Sequence, residues 1–272
     1  MYDCHMKILT LNAHSLSEEN QALKTKQTAE FIINSRIDVI FLQEVCQTIY
    51  EEPEESNQYY KGTENLRKDN YALALSECLK DLNSIYYWTW LPIKLGFGKF
   101  EEGVAVFSKK EIRETEFFTI TREQDFMNWR KRAALGIRND DGWFCTTHMG
   151  WWADEQEPFM EQLERLNTPL LCKEGRIFLG GDFNAPDFIE DESYAHLISS
   201  GWLDTRELAK EKNGRYSAEG NIIGCQDSTL QKMRIDYIFV NEKIPVRSSS
   251  IVFDGRNSPV VSDHYGVMIE TE

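Results

Sequence analysis

This sequence is poor in positive charge: 30 Lys and Arg face 45 Asp and Glu, for a formal net charge of −15. A surface that acidic repels phosphate backbones at long range, so nucleic acid is not an expected partner. Long apolar runs are missing too. No stretch approaches the ~18 residues of a membrane span, and the N-terminus MYDCHMKILTLNAHS lacks a charged segment followed by an apolar one. Neither export nor membrane insertion is expected, and the expected compartment is the cytoplasm. Cysteine is sparse: Cys4, Cys46, Cys78, Cys145, Cys172 and Cys225 are widely spaced, with no C-x-x-C pair. They read as reduced core thiols. Low-complexity tracts, short repeats and Pro/Gly/Ser linkers are also absent, so the 272 residues read as one domain.

What is present is a mixture of strand and helix patterns. Short apolar runs predict buried strands at 7–11, 39–43, 103–107, 176–179 and 235–240. Further strands are expected at 85–91, 247–253 and 265–269. Asn-Asp-Asp-Gly at 139–142 predicts a hairpin joining strands at 133–137 and 143–147. Helices are expected over 18–35, from an Asn70 cap through Leu82, over 154–172 and over 190–200. The acidic stretch 51–65 reads as a loop or flap. Some strands alternate with helices and others form hairpins, which predicts an α/β chain of the α+β type with mixed sheets.

Polar residues recur where these strands end. KILTLN ends at Asn12, VIFLQE at Glu44 and FLGGDFN at Asp182 and Asn184. His148 follows a strand, Asp236 lies within one, and Asp263-His264 precedes the last. A single such residue is ordinary turn chemistry. A recurring set of carboxylates is different, because buried carboxylates repel unless a cation or proton joins them. Glu44, Asp182 and Asp263 at one edge would suit a hard divalent ion such as Mg²⁺. The glycines Gly180 and Gly181 are expected to leave room for substrate.

The peptides LTLNAHS, FLQEV, TTHMGWW, GGDFNAP, RIDYIFV and SDHYGV, in this order over 7–269, resemble the endonuclease/exonuclease/phosphatase family. The resemblance implies a four-layer sandwich, two packed β-sheets flanked by helices, and hydrolysis of phosphoesters with Mg²⁺, Mn²⁺ being possible. It implies Glu44, Asn12 and Asp263 as metal residues. Asp182, His264, His148, Asn184 and Asp236 are the catalytic set it implies. Asp236 would orient His264, and whether Asp182 or His264 acts as base stays open. Asp236 could instead merely pair with Arg234. His5, His14 and His196 have no motif support and read as structural.

Three segments, YYWTWLPIKLGFGKFEEG, DFMNWRKRAALG and GWWADEQEPF, are rich in tryptophan. Any one tryptophan could equally anchor a core. As binding residues, Trp129, Trp151, Trp152, Lys94 and Arg132 are the candidates, Arg132 because guanidinium grips phosphate in two places. These segments resemble the bacterial maltose 6'-phosphate phosphatase branch, which implies a small phosphorylated sugar as the substrate. The alternatives are an abasic-site nuclease, a sphingomyelinase-like phosphodiesterase and a non-catalytic protein of the same fold. Oligomeric state has no signature here.

Overall fold

Strand runs of Val, Ile, Leu and Phe build two sheets in the computed structural model, which describes residues 5–55, 57–189, 193–219 and 232–272. The seven-stranded sheet runs in the order Ala209–Asn213, Val246–Val252, Gly266–Thr271, Lys7–Asn12, Val39–Thr48, Phe100–Ser108, Tyr87–Gly96. The six-stranded sheet runs Leu203–Asp204, Asp236–Val240, Ile177–Asp182, Gly142–His148, Ala133–Asn139, Glu114–Thr119. Both are mixed. Lys7–Asn12 pairs parallel with Val39–Thr48, and Ile177–Asp182 pairs parallel with Gly142–His148.

Alternation along each strand sorts side chains into two populations. Ile8, Phe41, Phe144, Phe178 and Ile238 meet in the core between the sheets. Leu9, Leu11, Ile40 and Leu42 point outward and pack against helices Gln21–Ser35 and Tyr71–Asp81. On the far side Cys145, Leu179, Tyr237 and Phe239 pack under helices Phe159–Leu170 and Ser193–Ser199. The result is helix, sheet, sheet, helix, a four-layer sandwich.

This parity carries into the polar residues. Asn12 continues the row of Ile8 and Thr10, Asp182 that of Phe178 and Gly180, His148 that of Phe144 and Thr146, and Asp236 that of Ile238. Each therefore emerges between the sheets at one edge of the sandwich.

The expected hairpin forms, with Asn139 paired to Gly142, and the Asn70 side chain caps its helix by accepting from Leu73 N at 3.0 Å. The helix expected from 154 begins only at Phe159, because the preceding polar residues are engaged elsewhere: Glu157 accepts from the Arg122 and Glu123 amides at 3.0 and 2.8 Å. The stretch read as a flap is tied down. Pro53–Glu54 pairs with Leu66–Arg67, and Tyr59 and Lys61 bond to the Trp88 backbone. Edge strands Glu114–Thr119 and Ala209–Asn213 were not expected, since their exposed, charged residues carry no apolar run. Of the cysteines, Cys46 and Cys145 are core thiols, Cys78 is half-buried, and Cys172 is exposed in the turn after a helix; Cys4 and Cys225 lie outside the described residues.

The glycines of FLGGDFN serve packing, and the expectation that they clear space for substrate is overturned. A Cβ on Gly180 would lie 2.4 Å from the Phe41 ring of the facing sheet, and one on Gly181 would lie 2.0 Å from the Thr147 carbonyl oxygen. Gly180 lets the two sheets approach just behind Asp182, and Gly181 lets the neighbouring strand of its own sheet lie close. Gly180→Ala is expected to cost about 1–3 kcal/mol as overpacking, read as a lowered urea midpoint. An unchanged midpoint would show that this approach is not tight.

Candidate active site

Three neighbouring strands align His148, Asp182 and Asp236 in one register: Asp182 is opposite His148 on one side and Asp236 on the other. His264, just before strand Gly266–Thr271 of the other sheet, completes the row. Its Nδ1 lies 2.9 Å from Asp236 Oδ2 and its Nε2 lies 3.9 Å from Asp182 Oδ2. His148 Nε2 lies 3.6 Å from the same Asp182 oxygen. Asn12 donates through Nδ2 to Asp182 Oδ2 at 3.1 Å and to Glu44 Oε1 at 3.0 Å, so it bridges the sheets.

Local backbone shape aims the remaining groups. Glu44 sits in a bulge between Leu42 and Val45 with φ of 52°, a region disfavoured for a non-glycine residue. Ser15 pins that bulge, donating to the Glu44 carbonyl oxygen at 2.6 Å. Asn184 also has a positive φ, 48°, and its amide N donates to Asp182 Oδ1 at 2.9 Å. Its side chain donates to the Met149 carbonyl oxygen at 2.9 Å.

Burial and crowding govern protonation. Burial, then the Asp236 carboxylate, push Asp182 up to about 7, against the pull of His264 and of hydrogen bonds from Asn184 and Asn12. Burial opposes the charged form of His264, but Asp236, with Asp182 and Asp263, outweighs it and raises the imidazole to about 10. His148 goes the other way: burial, then Arg132 and Lys94, hold it well below the usual histidine range, so it is neutral. Burial and the nearby Glu102 raise Glu44.

These side chains face one cavity of about 450 Å³. Glu44, Lys94, Arg132, His148, Asp182, Asn184, Asp263, His264, Trp129 and Trp151 line it; Asn12 and Asp236 stand behind, holding lining residues. Arg132 is buried with its Nε unpartnered, whereas Arg130 is drawn away to Asp154 at 3.0 Å. Trp152 does not reach the cavity. It packs edge-on against Trp151 and faces a separate hollow with Asp154 and Pro158, so its assignment to this cavity is corrected. Trp88 and Trp90 are buried in the core.

A model of the endonuclease/exonuclease/phosphatase family matches residues 9–264. This chain belongs to that family. Its members are generally metal-dependent phosphoesterases. No curated protein matches the chain in sequence. An endonuclease/exonuclease/phosphatase family protein from Leptotrichia buccalis is 30% identical, with a TM-score of 0.84 over 98% of this chain and 99% of that one. The mannosyl-6-phosphatase of Bacteroides thetaiotaomicron shares the fold at a TM-score of 0.65 and 17% identity, over 98% and 99% of the two chains. D. rerio TDP2, complexed with single strand DNA product, also shares it at a TM-score of 0.65 and 16% identity, over 99% and 100%.

A divalent ion fits the family site in this chain. Glu44, Glu102, Asp182 and Asp263 all face the cavity, a set of hard oxygen donors that suits such an ion. Asn12 presents its N–H groups to the Glu44 and Asp182 carboxylates and its Oδ1 to the His14 amide at 3.2 Å, so it ties the two acids together. Ligand atoms of Asp182, Asp236 and His264 lie within 4.8 Å of one another, as do those of His14, Glu18 and Asp263; Glu44 belongs to neither group.

Glu102 and Phe97 also line the cavity and have no signal in the sequence, and His14, expected to be structural, lines it too. Glu102 lies near the start of its strand, where Glu101 and Glu102 look like an ordinary charged pair ahead of the apolar run. Its carboxylate meets Lys94 Nζ at 2.9 Å. The alternative pairing of Asp236 with Arg234 is not what forms, because Arg234 is taken by Asp204 at 2.7 Å and Asp187 at 3.6 Å. If Asp236 is what keeps His264 protonated, Asp236→Asn lowers the His264 pKa from about 10 toward the ordinary ~6.5. NMR titration of the imidazole proton checks this, and an unmoved pKa would assign the elevation elsewhere.

Proposed function

We propose that this chain, acting as one catalytic domain, is a divalent-metal-dependent phosphomonoesterase for a small phosphorylated sugar, with maltose 6'-phosphate the first substrate to test. The observation that carries this reading is the cavity itself. Two buried cations, Lys94 and Arg132, and the neutral His148 share about 450 Å³ with acidic groups and with the exposed aromatic Trp129. A concave cavity of that size suits a small ligand. A nucleic-acid strand needs a basic track along the surface, and the net charge of −15 offers little support for one. The fold shared with a mannosyl-6-phosphatase agrees with the reading without fixing the sugar.

Each side chain then has a task. Glu44 and Asp263 would hold Mg²⁺ or Mn²⁺, with Asn12 aligning Glu44 and Asp182. When bound, the ion neutralises charge on the phosphate oxygens. Lys94 and Arg132 grip the phosphate. Asp182, elevated to about 7, takes a proton from the attacking water. His264, kept cationic by Asp236, donates to the phosphoryl oxygens and stabilises the charge that builds there. His148 and Asn184 stand where they can steady the leaving oxygen. The site so read works on an imported sugar phosphate in the cytoplasm; among the described residues no helix is long and apolar enough to cross a membrane.

Asp182→Ala and His264→Ala are each expected to lower kcat by about 10²–10⁴; His264→Ala is also expected to lower the unfolding midpoint, because it leaves the buried Asp236 without its partner. Full turnover in either removes that residue from the chemistry. EDTA should stop phosphate release and Mg²⁺ or Mn²⁺ restore it, whereas activity persisting after rigorous metal removal contradicts the metal assignment. In a substrate panel, release from maltose 6'-phosphate should exceed release from simple monophosphates, with no nicking of abasic DNA. The opposite preference overturns the sugar assignment.

A further inference from the structure

Phe97 sits at the tip of the turn joining strands Tyr87–Gly96 and Phe100–Ser108, with 70% of its surface exposed and φ of 49°. A bulky residue is rarely found in that left-handed conformation, and Gly98 beside it has nothing within 4 Å of where a Cβ would stand. The turn therefore pays for holding an aromatic ring outward without packing it against the protein. Trp129, 55% exposed, lines the same cavity. The Arg130 guanidinium lies 4.2 Å from the Trp129 ring centroid and is anchored by Asp154, so that partner occupies part of the indole surface. The segments bearing the two aromatics are joined where Leu95 N donates to the Phe126 carbonyl oxygen at 2.7 Å. Lys94 and Arg132, both buried, also line this cavity, and on the reading above these two cations grip the phosphate end of a ligand.

We propose that Phe97 and Trp129 form an aromatic clamp at the cavity mouth that recognises a second sugar ring, the one remote from the phosphate, and so sets selectivity for a disaccharide phosphate over a hexose phosphate. This rests on the sugar phosphatase reading above. Pyranose rings present flat C–H faces, and an exposed aromatic ring covers such a face with little loss of conformational freedom, its side chain having two rotatable bonds. A single-ring substrate held by its phosphate at the floor does not extend to the mouth. Phe97 is thus a specificity-determining residue, without a part in the chemistry.

The test compares kcat/KM for maltose 6'-phosphate and glucose 6-phosphate in the metal-loaded full chain, the wild type against Phe97→Asn and Phe97→Trp. Asn tolerates positive φ, so the turn is expected to keep its shape. The disaccharide-to-hexose ratio should fall by about fivefold in Phe97→Asn, the scale of one lost aromatic contact, and be retained in Phe97→Trp. A ratio unchanged in Phe97→Asn overturns the clamp, whether both rates fall together or neither does. Loss of the ratio in Phe97→Trp as well as in Phe97→Asn argues for a steric role of phenylalanine alone and also overturns it. If wild-type protein frees phosphate from neither sugar, the parent reading fails and the clamp with it.

Discussion

Two carboxylates face each other across adjacent strands, and much of the site follows from making that tolerable. Asp182 and Asp236 share a register in the six-stranded sheet, both buried. Like charges so placed cannot both stay ionised without positive or hydrogen-bonding partners. His264 arrives from the other sheet to meet both, and Asn12 adds a donor to Asp182. The close approach of the sheets at Gly180 and Phe41 keeps those partners within reach.

The same constraint divides labour between two histidines a few ångströms from one carboxylate. His264, backed by Asp236, is raised to about 10, whereas His148, backed by Arg132 and Lys94, is held low. Environment makes one a cation and the other a neutral ring, which gives the site a charged donor and an uncharged one. The Lys94–Glu102 pair extends the pattern on the cavity's other wall, where burial lowers Lys94 and the Glu102 and Glu44 carboxylates oppose that shift.

How much of this was readable beforehand depends on what each residue's neighbours in sequence reveal. Central strands such as Ile177–Asp182 announce themselves by apolar runs. Edge strands such as Glu114–Thr119 do not, because ladder hydrogen bonds hold them and only some of their side chains, such as Phe118, pack on the core. Asp182 and His264 were legible because a polar residue interrupts a buried strand or directly precedes one. Glu102 was not, since it stands beside Glu101 as an ordinary charged pair ahead of an apolar run. Trp151 and Trp152 are adjacent in sequence and part ways in space, one toward the cavity and one toward a different hollow.

Local pattern was enough for the row structure: strand alternation commits Asn12, His148, Asp182 and Asp236 to the same strand faces as their apolar neighbours two residues away, because side-chain parity is local. It also carried the ordered peptides that mark the family. Folding in three dimensions settled which of those rows meet, that the glycines serve close backbone packing, that Asn12 donates to acids, and that Phe97 and Trp129 line one cavity. Those outcomes depend on distances between segments far apart in the chain, which sheet packing and register fix and no local pattern encodes.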